Sequence, residues 1–229
     1  MDPSIRPIVD LRDRTLQKSR IAFTNRIAAV ERGSDVMDEA SLAMIEKWQA
    51  RFEELEKEAD ADIAGLVKDE PIVEQLTHLK GIGSLLAAKL VSAIDIQRAD
   101  TVSALWRYAG YAVNGDGQRE RPTKGERLHY NVRLKTTCYL VAVSFLRSNS
   151  PYRSVYDQAR TYYADNRPEW TKAHQHQAAL RKMTKVFLSH LWLVWRTLEG
   201  LETGQPYIIG KGNHTHYLAP VQFGWDIEL

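Results

Sequence analysis

The chain has 229 residues, 44% of them hydrophobic and 26% charged, which gives one or two soluble domains ample material for a core. Its 31 Lys/Arg and 29 Asp/Glu leave a formal charge of +2, too small to name a partner by itself. No stretch reaches the roughly 18 apolar residues of a membrane span, and the start, Met-Asp-Pro-Ser-Ile-Arg, lacks the apolar core of a secretory signal. The single Cys138 excludes an internal disulfide and suits a reducing, cytoplasmic setting.

Residues 7–32 read as a helix, with Leu16, Phe23, Ile27 and Val30 on one face. Arg12, Arg14, Lys18, Arg20, Arg26 and Arg32 stud the remainder. Gly33-Ser34-Asp35 breaks it. A longer helix is expected from about Met37 to Val67, because Ile45, Trp48, Phe52, Leu55, Ala59, Ile63 and Leu66 recur at steps of three and four. That is the seam of an antiparallel hairpin or a coiled coil. Glu53, Glu54, Glu56, Glu58, Asp60 and Asp62 are expected on its outer face, which would repel DNA. Residues 1–70 are therefore expected to form a helical arm, a spacer or a means of homo-oligomerisation through residues 37–67. A hairpin packed only on its own core is the alternative.

Residues 71–94 differ in kind. Pro71 suits a first helical turn, where its missing N–H costs nothing, and a short helix is expected to about His78. A turn follows at Lys80–Gly83, then a helix from Ser84 to Ile94. Gly81 and Gly83 give backbone freedom on either side of Ile82, which can turn inward and pin the two helices. Leu76, Leu79, Ile82, Leu86, Leu90 and Ile94 supply the inward stripe, leaving Lys80, Ser84 and Lys89 outside. This is the pattern of a helix-hairpin-helix. Bare amides at Gly-Ile-Gly and a helix N-terminus suit a phosphate oxygen, and such an element reads little base sequence. A tight hairpin that only closes a core is the competing reading.

Asp100 or Thr101 can cap a short helix over Val102–Ala109 that ends at Gly110, with Leu105, Trp106 and Tyr108 expected beneath the hairpin. Residues 111–127 carry the turn dipeptides Asn114-Gly115 and Asp116-Gly117 and the cations Arg119, Arg121, Lys124 and Arg127. They read as a second backbone-contacting loop, or else as a solvated one. The charge distribution favours the first: residues 51–100 hold six Lys/Arg against eleven Asp/Glu, whereas residues 101–150 hold eight against three.

Helix is expected again over 128–148, with Arg133 and Lys135 near its start and Cys138–Leu146 buried on most sides. Asn149-Ser150-Pro151 separates it from a helix carrying Tyr152, Tyr156, Tyr162 and Tyr163. The last long helix spans roughly 168–199 with Leu180, Met183, Phe187, Leu191, Val194 and Leu198 inward, and an irregular tail begins at Leu201. Neither His174 with His176 nor His214 with His216 has metal-ligand support from cysteine or from a His-Glu-x-x-His spacing. No Walker loop and no hydrolytic triad can be assembled, so neither a cofactor nor a catalytic residue is expected.

Three blocks together carry a resemblance: Leu79-Lys-Gly-Ile-Gly-Ser with Ala-Ala-Lys-Leu-Val-Ser-Ala-Ile, Leu105-Trp-Arg-Tyr-Ala-Gly-Tyr111, and Thr123-Lys-Gly-Glu-Arg-Leu128 before an apolar helix. In this order they resemble the C-terminal helix-hairpin-helix domain of the insertion-sequence transposases that pair a resolvase-like nuclease domain with a serine-bearing domain. Arg12–Val30 and the long helix resemble the coiled coil between those domains. The resemblance spans roughly residues 10–199. Two departures stand out: the nuclease domain is expected to be absent, and the loop Val113–Pro122, where the family's serine belongs, contains no serine.

The expectation is thus an all-α protein: a helical arm, a helix-hairpin-helix domain over 71–200 and a tail over 201–229. It would grip mainly DNA, or structured RNA, by the phosphate backbone, without catalysis. Lys80, Gly81, Ile82, Gly83, Ser84, Lys89, Arg119, Arg121, Lys124, Arg127 and Arg133 would form the contact. An active recombinase subunit working with a partner nuclease, and a protein-interaction module with a purely structural hairpin, are the alternatives.

Overall fold

A computed structural model describes residues 5–113, 123–125, 127–203 and 218–227. The described residues are all helix, turn and irregular chain, so the fold is all-α. Two compact units divide the chain, Met1–Asp69 and Glu70–Leu229. Arg119, Arg121, His214 and His216 lie outside the described residues, as does most of the loop expected to carry the family serine.

In the first unit, α1 (Ile5–Leu11) passes through a π-helical stretch (Arg12–Gln17) into α2 (Lys18–Glu31). The chain reverses at Gly33, whose φ of +69° is a conformation that favours glycine. Asp38 then caps α3 (Glu39–Val67) by accepting from the Ser41 amide at 2.8 Å. The two long helices pack on one another, but what lies between them differs from the expected apolar seam. Arg12 and Glu56, expected on outer faces, are both buried. The Arg12 guanidinium donates from Nε to Asp60 at 2.6 Å and pairs through Nη2 with Glu56 at 2.7 Å. Arg20 Nε reaches the other Glu56 oxygen at 2.6 Å. Buried charges persist only when paired in this way.

Of the expected seam, Ile63 is buried and Phe52 packs on Phe23 with centroids 5.7 Å apart, whereas Trp48, Leu55 and Leu66 are exposed. With Met44 they follow spacings of 4, 7 and 11 residues, which place all four on one narrow face of α3. The face that sequence periodicity would turn inward is thus split: part is buried against α2 and part is open.

The second unit opens with α4 (Pro71–His78) and α5 (Ser84–Ala93), then α6 (Val102–Tyr108), α7 (Val132–Ser148), α8 (Arg153–Asn166) and α9 (Lys172–Leu198). Caps explain several starts: Thr101, Asn131 and Thr171 each accept a hydrogen bond from the amide three residues on. α9 is the centre of the unit. Leu180, Met183, Phe187, Leu191 and Val194 are buried along it as expected, while Leu198, on its last turn, is 39% exposed. Leu105 and Trp106 are buried, but the Trp106 indole N–H donates to the Lys185 carbonyl of α9, and Tyr108 is exposed and bonded to Asn131. Trp106 therefore anchors α6 on α9. On α7, Tyr139 and Leu140 stand exposed within the run expected to be buried on most sides.

The end of the tail belongs to this core. Tyr152, fully buried, stacks on Phe145 with centroids 4.7 Å apart and packs on Phe187 and Phe223. Its hydroxyl accepts from the Trp225 indole at 2.7 Å and donates to His190 Nδ1 at 2.7 Å, leaving His190 Nε2–H to donate to the Leu218 carbonyl at 2.8 Å. Every polar atom in that chain has a partner. Gln75 and the Asp226 backbone exchange two further hydrogen bonds, so the tail also braces α4.

Candidate nucleic-acid interface

Two helices, α4 and α5, stand over the expected residues and are joined by a short turn. Leu79 ends α4, its carbonyl accepts from the Ile82 amide at 3.0 Å, and Ile82 turns inward to only 4% exposure. Leu76, Leu79, Leu90 and Ile94 join it in the core, while Leu86 is half-buried.

The two glycines of the turn face different surroundings. Gly81 adopts φ +105°, and a Cβ there would sit 2.5 Å from the Ser148 hydroxyl oxygen and 3.2 Å from the Ser144 carbonyl. Ser144 donates to the Gly81 carbonyl at 2.5 Å, and Ser148 to the Lys80 carbonyl at 3.2 Å. That edge of the turn is closed by the C-terminal part of α7, so packing by itself calls for glycine at position 81. Gly83 is exposed, has an ordinary extended backbone (φ −99°, ψ 173°), and a Cβ there would meet nothing within 4 Å. It stands at the N-cap of α5 with no side chain capping the first amides of that helix. A helix N-terminus with unclaimed N–H groups attracts an anion through both hydrogen bonding and the helix dipole.

Lys80 is exposed beside this edge and Ser84 is half-buried. Lys89, expected on the outside, is 9% exposed because Ala87, Ala88, Leu90 and Val91 around it are all buried and α5 has little outer face there. Lys124 and Arg127 are exposed, and Arg133 lies in the first turn of α7. Eleven residues separate Arg133 from Ser144, about 16 Å of helix at 1.5 Å per residue. The turn and the Arg133 end are therefore two stations on one helix. Sequence reasoning passed over Arg147, which is exposed and adjacent to Ser148, on the α7 surface that closes the turn. The signal was its position in the last helical turn, and only packing tells that this turn meets the hairpin. His174 and His176 have different partners: His174 stacks on Trp170, and His176 bonds the Tyr156 hydroxyl.

Residues 73–157 match the family model described as the transposase IS116/IS110/IS902 family. The match covers the hairpin, α6, α7 and the first part of α8, and supports a role tied to transposition for this part of the chain. No curated protein and no solved structure matches the chain. Among the described residues, no helix is long and apolar enough to cross a membrane.

Proposed function

We propose that the second unit holds DNA by its phosphate backbone, with the Gly83 edge of the hairpin as the principal contact, in transposition or its regulation. The observation that carries this reading is the uncapped start of α5, with Gly83 exposed, Ser84 half-buried and Lys80 exposed beside it. Arg133 at the start of α7, and Lys124 and Arg127 ahead of it, extend the contact, and Arg119 and Arg121 add to the charge of the preceding loop. The chain acts in this reading as a DNA-gripping component and not a strand-cleaving one, a view supported by the absence of serine from Val113–Pro122. The exposed stripe Met44, Trp48, Leu55 and Leu66 on α3 supports pairing of two copies through residues 37–67. Leu55→Glu should then lower the mass measured by light scattering at a given concentration.

A backbone grip has a measurable signature. Affinity for duplex DNA should fall linearly on a log–log plot against salt, with a slope set by the number of phosphates neutralised, and should differ little between unrelated sequences. A panel of duplex, single-stranded and branched DNA and structured RNA at low salt tests it. Failure to bind any of the four would leave the hairpin a structural element. That second reading has one observation in its favour, the closure of the Gly81 edge by Ser144 and Ser148.

A further inference from the structure

Away from the hairpin, the N-terminal half of α7 forms one wall of an open groove of about 1080 Å³, completed by the end of α8 and the start of α9. The groove is walled by aromatic faces. Tyr139 projects from α7 and is 45% exposed. Across from it, Trp170 and His174 lie parallel, centroids 4.0 Å apart, and Tyr163 adjoins Trp170 at 5.4 Å. The charge is of one sign. Lys135 and Arg181 line the groove, and no Asp or Glu is among the described residues that do. The carbonyls of Tyr111 and Ala112 fix the Arg181 guanidinium, so its charge is held at the wall and does not swing in solvent.

These features select an occupant. An uncharged apolar ligand would gain nothing from two cations, and an acidic peptide would gain little from a row of flat rings. Paired bases show a protein only their edges, whereas unpaired bases offer faces that stack on aromatic side chains while their phosphates meet cations. We propose that this groove takes the unpaired bases of a single-stranded DNA segment, stacking them on Tyr139 and Trp170 with Lys135 and Arg181 on the phosphates. The proposal rests on the DNA-binding reading above and adds the strand form that the unit engages. Lys135 precedes Ser144 by nine residues, about 14 Å along α7. Nine residues are also about two and a half helical turns, so the groove and the turn lie on opposite faces of α7 and a strand must pass round the helix to engage both.

The test uses the full chain with a labelled single-stranded DNA oligonucleotide, the duplex of the same sequence, and the matching RNA oligonucleotide. Tyr139→Ala and Trp170→Ala should each weaken single-strand binding roughly 5- to 150-fold and leave duplex binding unchanged, while Trp170→Phe should keep most of the affinity. Tyr139 is exposed, so its variant keeps the test valid if Trp170→Ala perturbs folding, which circular dichroism would reveal. Single-strand affinity unchanged in Tyr139→Ala would overturn the groove, and so would an equal loss on duplex DNA. Tighter binding of the RNA strand with the same sensitivity would overturn the choice of DNA. A parent protein that binds duplex but no single strand removes the groove alone; one that binds neither removes the phosphate grip as well.

Discussion

The arm and the hairpin unit differ in the polar groups they enclose among their apolar side chains. In the arm a guanidinium and a carboxylate, Arg12 and Glu56, are enclosed together with Ile5, Val9, Ile63 and Val67, while Trp48, Leu55 and Leu66 face water. In the second unit Tyr152, Phe145, Phe187 and Trp225 fill the centre and the polar atoms among them are neutral and fully bonded. The difference shows that a helical period of apolar residues identifies a helix but not which side of it the molecule encloses.

The largest effect expected from breaking this contrast lies in the arm. Arg12→Ala leaves Glu56 enclosed with only Arg20 and Gln17 for partners, and loss of one member of a buried pair costs about 3–5 kcal/mol. Urea unfolding should show that loss, whereas an effect below about 1 kcal/mol would place the pair in the class of surface ion pairs.

Next comes the Tyr152–His190–Trp225 cluster of the second unit. Burial pushes the His190 imidazole down to about 4, against a smaller upward influence of the Leu218 carbonyl. The unfolded chain, with histidine near 6.5, then takes up the proton first as pH falls. The stabilisation is complete above pH 6.5, is lost progressively between 6.5 and 4, and is flat below that. Its size is about 3 kcal/mol, since each pKa unit is worth about 1.4 kcal/mol. Unfolding free energies of the parent should fall across this window more steeply than those of His190→Gln.

The same contrast recurs within the hairpin turn. Gly81→Ala forces a methyl against Ser148 in a left-handed backbone, and a loss of roughly 1–3 kcal/mol is expected. Gly83→Ala meets open space in an ordinary conformation and should change stability by no more than about half a kcal/mol. A double substitution of both glycines would confuse folding with binding; the two must be separated.

Much of the fold could be read from the chain. The hairpin followed from Pro71, Gly81 and the Leu76–Leu79–Ile82 stripe, and α6 from Thr101 and its cap. What could not be read depends on partners distant in sequence. Glu56 sits in a run of six acidic residues over 53–62 with nothing local to distinguish it; Arg20 selects it across 36 residues. Lys89 looks like any lysine on an amphipathic helix until α5 is seen enclosed on nearly all sides. Tyr139 and Trp170 come together across α7, α8 and α9 and have no shared local signal.

The central claim is that an oxygen of DNA occupies the open edge at Gly83, and Gly83→Asp tests it most directly. An aspartate at the N-cap would satisfy the same amides from within and set a negative charge beside them, leaving the fold as stable as before or better by a few tenths of a kcal/mol. At low salt the account predicts an unchanged or higher melting temperature together with at least about a tenfold loss of duplex affinity and a shallower salt dependence. A variant that melts like the parent and still binds duplex DNA with the parent's affinity and salt slope would contradict it.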